Sequence, residues 1–265
     1  MRQHLTFACA GSTLVATLDE AAGGAGLLWV GGGNEVRCGA FAGQAQIAAR
    51  IAAAGFPVLR FDRRGVGDSE GDNGGFRASG PDIAAALAAF RARCPGLARV
   101  VAFGNCDAAS ALMLGEGAGA DALVLANPWT LDSEDEAPPP AAVRARYAAK
   151  LRDPREWRRL VSGGVSLTKL GKGLGRAARP APPPTTLASD IAAGLAPFPG
   201  PVRILLAERD RTAQAFLAHW DAADPRLRRC PGASHAFVEP AAREWLLAQL
   251  TGALADEQAR QLDVG

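Results

Sequence analysis

A short turn near the middle of the chain carries the side chain best suited to covalent chemistry. Cys106 lies between an apolar run that predicts a buried strand and an alanine-rich run that predicts a helix. In the pattern G-x-S-x-G, such a turn lifts one side chain above the sheet edge, and the helix N-terminus supplies N–H groups for an oxyanion. Gly104 and Ala108 place small residues at the two crowded flanking positions, although the pattern has glycine at the second. We therefore predict Cys106 as a nucleophile; the alternative is a buried cysteine that acts as a small apolar residue.

A cysteine nucleophile needs a base, and the chain has three histidines. His4 precedes the predicted core, and His219 lies inside a helical run, where a packing or surface role is expected. His235 lies in a loop directly after the last predicted strand, from which a side chain can reach back across the sheet edge. These positions favour His235 as the base.

The base needs a carboxylate that orients its ring, and this group should follow a strand between the nucleophile and the histidine. Asp210 meets both requirements, because it comes just after the apolar run 201–207 and precedes His235 by 25 positions. Glu208 is the alternative, but it belongs to the end of the strand itself. Without the turn at Cys106, Asp210 would be interpreted as the N-cap of the next helix. The predicted catalytic set is therefore Cys106, His235 and Asp210.

An acyl-transfer site also needs two N–H donors for its oxyanion. The residue after the nucleophile, Asp107, supplies one through its backbone. The run 31–34, which follows the predicted third strand, supplies the second, with Gly33 as the first candidate and Asn34 as the next. A flexible turn is the alternative interpretation of this glycine-rich run. A dinucleotide fingerprint is disfavoured because Val36 stands where its third glycine belongs, so no cofactor is predicted.

Strand-like and helix-like runs alternate on both sides of these residues, which predicts an α/β fold with a mostly parallel eight-stranded sheet flanked by helices. Regular alternation stops after the sixth strand and later resumes. We therefore predict a core domain formed by residues 1–130 and 199–265, with a basic, proline-flanked helical cap inserted at 131–198. The predicted elements are, in order, a hairpin 5–10 and 12–18, strand 27–30, helix 40–54, strand 57–61, helix 82–93, the strand before Cys106, the helix after it, strands 122–126 and 201–207, helix 211–222, strand 226–230 and helix 239–250.

The distribution of charge indicates which kinds of molecule the chain can bind. The net charge is +2, but residues 141–180 carry 11 Lys and Arg against two acidic residues, so this basic segment is +9 and the remainder is −7. Such a segment attracts phosphates, nucleic acid or an acidic protein, and solvated helix faces are the alternative. Nucleic acid is disfavoured, because few aromatic residues beyond Tyr147 and Trp157 interleave the basic ones.

The number and spacing of the cysteines, and the absence of long apolar runs, indicate the cellular compartment. The five cysteines are odd in number and scattered, without C-x-x-C pairs or histidine clusters, which predicts a reduced compartment and no metal site. The first residues lack the apolar region of a signal peptide, and no run approaches the roughly 18 apolar residues of a membrane span. We therefore expect a soluble, cytoplasmic protein without a membrane span.

Residues 62–69 add a further motif. Their sequence, DRRGVGDS, is similar to the D-x-R-G-x-G-x-S signature that follows the fourth strand in α/β-hydrolases, where it forms a structural turn near the active site. Together with the turn at Cys106, Asp210 and His235, this motif makes essentially the whole chain resemble the α/β-hydrolase superfamily. The resemblance implies the α/β-hydrolase fold.

A narrower resemblance rests on residues 55–62, 104–110 and 125–129, followed by the basic segment. These residues resemble the exosortase A system-associated hydrolase 1 family. That resemblance implies a cytosolic hydrolase associated with bacterial exopolysaccharide and protein-sorting loci, with cysteine at the nucleophile position as a family trait. A second resemblance, to dienelactone hydrolase, is limited to the Cys, Asp and His set on a similar fold, and it implies that such a triad can function.

These observations predict transfer of an acyl group to water. Cys106 attacks the carbonyl of an ester, lactone or thioester and forms an acyl-cysteine, while His235 handles the proton and Asp210 orients the ring. The basic segment extends the prediction to a small-molecule acyl substrate carried on coenzyme A or an acidic acyl carrier protein. Two alternatives stay open: an acyltransferase with the same triad, and a non-catalytic binding protein on an inactive hydrolase fold.

Overall fold

The computed structural model describes residues 1–131 and 185–264. Within these ranges one sheet is formed by β1 Arg2–Cys9, β2 Ser12–Asp19, β3 Ala25–Val30, β4 Val58–Phe61, β5 Arg99–Asn105, β6 Ala122–Ala126, β7 Val202–Ala207 and β8 Leu227–Cys230. The spatial order is β1-β2-β4-β3-β5-β6-β7-β8. β2 pairs antiparallel with β1 and with β4, and the other pairs are parallel. The predicted eight-stranded, mostly parallel sheet is confirmed.

Helices cover both faces of this sheet. In the described residues they are α1 Gly43–Ala53, α2 Gly80–Arg93, α3 Asp107–Leu114, α4 Thr186–Leu195, α5 Arg211–Leu217 and α6 Pro240–Val264. Ile47 of α1 and Leu250 of α6 belong to one buried cluster, while Phe90 of α2 and Phe216 of α5 belong to the cluster on the opposite face. Within residues 1–131 and 185–264, no helix combines the length and apolar character needed to cross a membrane.

Two helices differ in length from their predictions. α5 ends at Leu217, earlier than predicted, because the chain turns there and Trp220 stacks on the ring of Phe216 with centroids 4.8 Å apart. α6 extends well past its predicted end, because Glu257 is 1% exposed and accepts two hydrogen bonds from Arg99 of β5. Both differences in helix length arise from side-chain contacts within the chain that the local sequence pattern does not predict.

Burial along the strands follows their place in the sheet. β3, β5 and β6 are almost entirely buried, because helices cover both of their faces, as is usual for central parallel strands. β1 alternates between exposed and half-buried positions, which is typical of an edge strand with one solvated face. The best-packed part of the core therefore includes β3 and β5, the strands that precede the glycine-rich run 31–34 and Cys106.

The carboxyl ends of the parallel strands bring distant chain segments to one edge. Asn105 at the end of β5 pairs with Ala126 at the end of β6, and Ala126 pairs with Leu205 of β7. Ala207 at the end of β7 pairs with Cys230 at the end of β8. The loops that follow these four strands therefore start side by side, where ligands bind in open α/β sheets.

The segment predicted as a cap, 131–198, is described only at its ends. Residues 132–184, which include the basic segment, lie outside the described residues. The final part of the segment forms α4, whose Ile191 is fully buried. Gly194 lies so close to α3 that a Cβ there would be 2.5 Å from the carbonyl oxygen of Met113. α4 is therefore packed against α3.

Candidate active site

Cys106 occupies a strained turn between β5 and α3. Its backbone has φ 63° and ψ −126°, a conformation that is costly for any residue with a side chain. The N–H of Cys106 donates to the carbonyl of Ala126 at 2.9 Å, which ties the turn to the end of β6. A Cβ on Gly104 would lie 2.7 Å from backbone atoms of Ala108 and Ala109, so the position requires glycine. The sharp strand-to-helix turn expected here is present.

The predicted base and acid lie beside each other at the same sheet edge. His235, in the loop between β8 and α6, has its Nδ1 2.9 Å from Oδ2 of Asp210. The same Oδ2 accepts the N–H of Ala213 at 3.1 Å, so Asp210 is also the N-cap of α5. Glu208, the alternative acid, is exposed. The same carboxylate therefore caps α5 and faces the His235 ring, and the cap holds it in place.

The electrostatics of His235 depend on two neighbours. His235 faces Asp210 through Nδ1, and its ring also interacts with the Cys106 side chain. The hydrogen bond to Asp210, followed by the one to Cys106, raises the pKa of His235 from 6.5 to about 10, against the opposing effect of burial. The ring is therefore cationic at neutral pH.

Two asparagines that sequence reasoning missed hold the loop that carries His235. Asn127 directly follows β6, is fully buried and has a left-handed φ of 44°. Its Nδ2 donates to the carbonyl oxygen of His235 at 3.0 Å, and Asn105 Nδ2 donates to the same oxygen at 3.2 Å. The available signal is a polar residue directly after an apolar strand, at the sheet edge where the site is expected.

The glycine-rich loop after β3 lies against the turn at Cys106. A Cβ on Gly32 would come 2.7 Å from the carbonyl oxygen of Asn105, so the loop approaches the turn as closely as a backbone can. Asp107 is the first residue of α3, and its backbone N–H is one of the donors that a helix start leaves open. The N–H of Gly33 donates to Oδ1 of Asp107 at 2.7 Å. The predicted second oxyanion donor therefore bonds the side chain of the residue that supplies the first.

Arg63 is a third residue that sequence reasoning missed. It is 4% exposed, donates to the carbonyl oxygen of Gly33 and has Nη2 3.7 Å from Oδ2 of Asp107. Asn34, the other predicted donor, is exposed, and its side-chain oxygen accepts from Nδ2 of Asn73 at 2.7 Å. Arg63 belongs to the motif at residues 62–69, whose sequence indicates only a structural turn.

The remainder of that motif forms a turn built around Asp62. This carboxylate is fully buried and accepts the backbone N–H groups of Arg37 at 2.6 Å and Asp68 at 3.1 Å. Gly67 has φ 56°, and a Cβ there would lie 2.4 Å from the carboxylate. A cavity of about 300 Å³ beside the turn is lined in part by Arg37 and Arg60, each paired with a carboxylate. Its lining does not include Cys106, so this cavity is separate from the site.

The other four cysteines differ from Cys106 in their surroundings. Burial raises the pKa of the Cys9, Cys94 and Cys230 thiols, which makes them poorer nucleophiles at neutral pH. Cys38 is exposed, so its reaction with a label has to be separated from that of Cys106.

The fold and the site together define a class of protein. A mostly parallel sheet with a nucleophile turn after one strand, an acid after a later strand and a histidine after the last strand is the arrangement of α/β hydrolases. In the described ranges, 1–131 and 185–264, His, Cys, Asp and Glu do not form the groups of three that could hold a metal ion.

Comparison with known proteins agrees with this class. A model of the alpha/beta hydrolase family matches residues 24–249, and the chain belongs to this family. A search of curated proteins finds no match.

Solved structures from bacteria, fungi and an archaeon share the fold. Esterase Pf2001 from Pyrococcus furiosus is similar with a TM-score of 0.58 and 14% identity, over 97% of this chain and 90% of that one. A fungal esterase from Rhizomucor miehei has a TM-score of 0.58 and 16% identity, over 98% and 85% of the two chains. An α/β serine hydrolase without a lid from Xanthomonas campestris has a TM-score of 0.56 and 16% identity, over 98% and 94%. At these identities the likeness establishes the fold.

Proposed function

We propose that the chain is a hydrolase that cleaves an ester, lactone or thioester through an acyl intermediate on Cys106. The observation that carries the proposal is the grouping of Asp210, His235 and Cys106, in which a buried carboxylate lies 2.9 Å from Nδ1 and the ring also interacts with the Cys106 side chain. An acyl-transfer site needs these three roles: nucleophile, base and orienting group. Membership of the alpha/beta hydrolase family and the similarity to esterase structures support the same class of reaction.

The first half of the proposed reaction makes the acyl-cysteine. The Cys106 sulfur attacks the carbonyl carbon with an electron pair, and the C=O π electrons move to oxygen to give a tetrahedral oxyanion. As the oxyanion collapses, the bond to the leaving group breaks and His235 donates a proton to that group. An alcohol or thiol departs, and the acyl group remains on sulfur as a thioester.

The second half returns the enzyme to its starting state. His235, now neutral, takes a proton from water as the water oxygen attacks the thioester carbonyl. The second tetrahedral intermediate collapses with the Cys106 thiolate as the leaving group, and the carboxylic acid is released. Asp210 keeps the ring facing the sulfur throughout. Because the intermediate is itself a thioester, activated acyl groups are better substrates than peptides.

The oxyanion is bound in this proposal by the N–H of Asp107 and by an N–H of the glycine-rich loop. Gly33 can serve only after the Asp107 carboxylate leaves its N–H, and Asn34 lies exposed in the same loop. Arg63, 3.7 Å from that carboxylate, is the partner that can receive it. Substrate entry therefore turns Asp107 away from Gly33 and towards Arg63.

The proposed substrate class rests on residues beyond the described ranges. The basic segment has the charge to attract the phosphates of coenzyme A or the surface of an acidic acyl carrier protein. The resemblance to the exosortase A system-associated hydrolase 1 family adds a cytoplasmic setting near bacterial exopolysaccharide functions. We therefore propose acyl groups on such carriers as the first substrates to assay.

One observation favours a second function, a binding protein without turnover. The Asp107 carboxylate bonds the Gly33 N–H and places negative charge where an oxyanion would form. If that carboxylate stayed in place, Cys106 would be acylated slowly at best, and the acyl group would not be released to water. The experiment below separates this function from hydrolysis.

The proposal is tested by replacing the nucleophile in a chain whose exposed cysteine has been removed. Cys38→Ser is the background and the matched control, because it removes a thiol outside the proposed site. Cys106→Ala in this background is expected to lower turnover of small aryl esters by about a thousandfold or more and to abolish iodoacetamide labelling at position 106, because the proposed intermediate forms on that sulfur. Turnover and intact mass after acylation are measured on both variants.

The outcomes are distinct. Unchanged turnover in Cys106→Ala contradicts the proposed function. An acyl adduct that forms on Cys106 of the control and persists without turnover contradicts hydrolysis and supports the binding protein.

A further inference from the structure

The loop that carries His235 is anchored to the nucleophile turn by a closed set of amide hydrogen bonds. Asn127 Nδ2 donates to the His235 carbonyl oxygen at 3.0 Å and to Oδ1 of Asn105 at 3.0 Å. Asn105 Nδ2 donates to the same His235 oxygen at 3.2 Å. The N–H of Ala207 donates to Oδ1 of Asn127 at 2.8 Å. Both hydrogens of the Asn127 amide and its oxygen therefore have partners, and the set admits one orientation of the group.

The positions of these two residues matter as much as their bonds. Asn105 is the residue directly before Cys106, and Asn127 directly follows β6, whose last residue accepts the Cys106 N–H. Two side chains from the base of the nucleophile turn thus reach the backbone of the histidine. The separation between the turn and the base is therefore fixed by two short, hydrogen-bonded side chains.

His235 itself needs this anchor more than a buried residue would. Its side chain is 41% exposed, so packing does not hold the ring. The ring faces Asp210 through Nδ1 and interacts with the Cys106 side chain, and both contacts depend on where the His235 backbone lies. A shift of about an ångström in such a group is enough to cost about a hundredfold in rate.

We propose that Asn105 and Asn127 are positioning residues, which hold the His235 backbone so that its ring stays between Asp210 and Cys106. This inference rests on the proposed function for its catalytic consequence, but not for its geometric one. Asparagine suits position 127 for a second reason, because it tolerates a left-handed backbone while supplying two N–H donors.

The test compares two variants that remove the donors by different routes. Asn127→Gly keeps the left-handed backbone accessible and removes the whole amide, and Asn105→Ala removes a half-buried amide while leaving the Ala207 contact in place. Asn105→Ala keeps the test open if Asn127→Gly does not fold. Gln46→Glu is the matched control, because it removes an exposed amide that donates to the Phe41 carbonyl, away from the site.

The first measurement is an NMR titration of the imidazole signals. The chain has three histidines, so His235 is assigned by its loss in His235→Gln, and His4 and His219 serve as internal references. In both asparagine variants we expect the titration midpoint of His235 to fall from about 10 towards 6.5, while the references stay unchanged. A folded variant in which the His235 midpoint is unchanged overturns the inference.

The second measurement is the steady-state rate of ester cleavage by the same variants. We expect kcat to fall about tenfold to a hundredfold with KM nearly unchanged, because the ring and not the substrate pocket is displaced. A purely structural role would instead lower the melting temperature and leave kcat per folded molecule intact, which also overturns the inference. Full turnover in Cys106→Ala would defeat the proposed function alone, since the titration does not depend on it.

Discussion

The two halves of the candidate site are built from loops at the same sheet edge, yet different forces hold them. On the base side, the His235 loop is held by Asn127, which is fully buried, and its ring is oriented by Asp210, which is 8% exposed. On the oxyanion side, Gly33 and Asn34 are exposed. Their loop is held by the side chain of Asp107 through the very N–H that an oxyanion would need.

The base side is therefore arranged for the proposed reaction in the structure as it stands, whereas the oxyanion side has to rearrange first. In the proposed reaction, the contacts that Asn127 and Asp210 make with the His235 loop and ring can persist, because neither uses an N–H that the oxyanion needs. The oxyanion side has to exchange a carboxylate for a developing oxyanion, and negative charge near that point raises the barrier. In the proposed reaction, the proton-transfer groups are therefore already in place, whereas binding of the oxyanion requires the Asp107 side chain to move.

The largest effect is expected from Asp210→Asn, which weakens the base side at its orienting group. We expect kcat/KM to fall by about a thousandfold or more, because the amide cannot stabilise the imidazolium and favours the wrong tautomer. Asparagine caps helices as well as aspartate does, so α5 and the fold should be retained. Steady-state kinetics together with circular dichroism check both statements.

Glu208→Gln is the matched control for that variant. Glu208 precedes Asp210 by two positions, is exposed and is the alternative acid. We expect its replacement to change kcat/KM by less than about twofold. Similar losses in the two variants would contradict the assignment of Asp210 as the orienting group.

A smaller effect of opposite sign is expected from Asp107→Ala, which acts on the oxyanion side. The change frees the Gly33 N–H and leaves Arg63 as a nearby cation, so we expect kcat to rise by about tenfold with little change in KM. Asp107→Asn separates two causes, because its side-chain oxygen can still accept from Gly33 but carries no charge. A pre-steady-state measurement of the rate at which Cys106 is acylated shows whether acylation is the step that changes.

A fall in kcat for Asp107→Ala would reverse this half of the comparison. It would mean that the Asp107 carboxylate holds the glycine-rich loop in its working position. The rate lost with that contact would then exceed the rate gained from the freed Gly33 N–H. Thermal unfolding should accompany the kinetics, because removing one partner of the nearly buried Arg63 leaves that cation without its carboxylate.

On the base side, the sequence identifies the candidate catalytic residues better than the residue that holds the His235 loop. Cys106 and the small residues around it fall within five adjacent positions, and the order of strands then selects Asp210 and His235, which the structure brings together with Cys106. Asn127 has no comparable signal, since its partners lie 22 positions earlier and 80 and 108 positions further along the chain. A contact of that range depends on how strands stack, which no local pattern contains.

On the oxyanion side, too, the local sequence predicts the loop but not the contacts that its residues make. The glycine-rich run predicts a loop that approaches the turn, and Gly32 does lie against it. That the Asp107 side chain would bond the Gly33 N–H depends on a side-chain orientation, and that Arg63 would join them depends on the packing of two separate loops. The fold class follows from periodicity, because alternating strands and helices have few ways to cover each other.

The smallest effect is expected in the pH dependence of stability, and it comes from the base side. The pKa of His235 is raised from 6.5 to about 10 in the folded chain, so the folded state holds this proton more tightly than the unfolded state. The resulting stabilisation is complete below pH 6.5 and is lost as the pH rises through about 10. The effect is small because a side chain that is 41% exposed is screened by solvent. Urea unfolding over this pH range should show the free-energy difference between the wild type and His235→Gln shrinking with rising pH; a difference that stays constant would mean that the folded ring holds its proton no more tightly than the unfolded one.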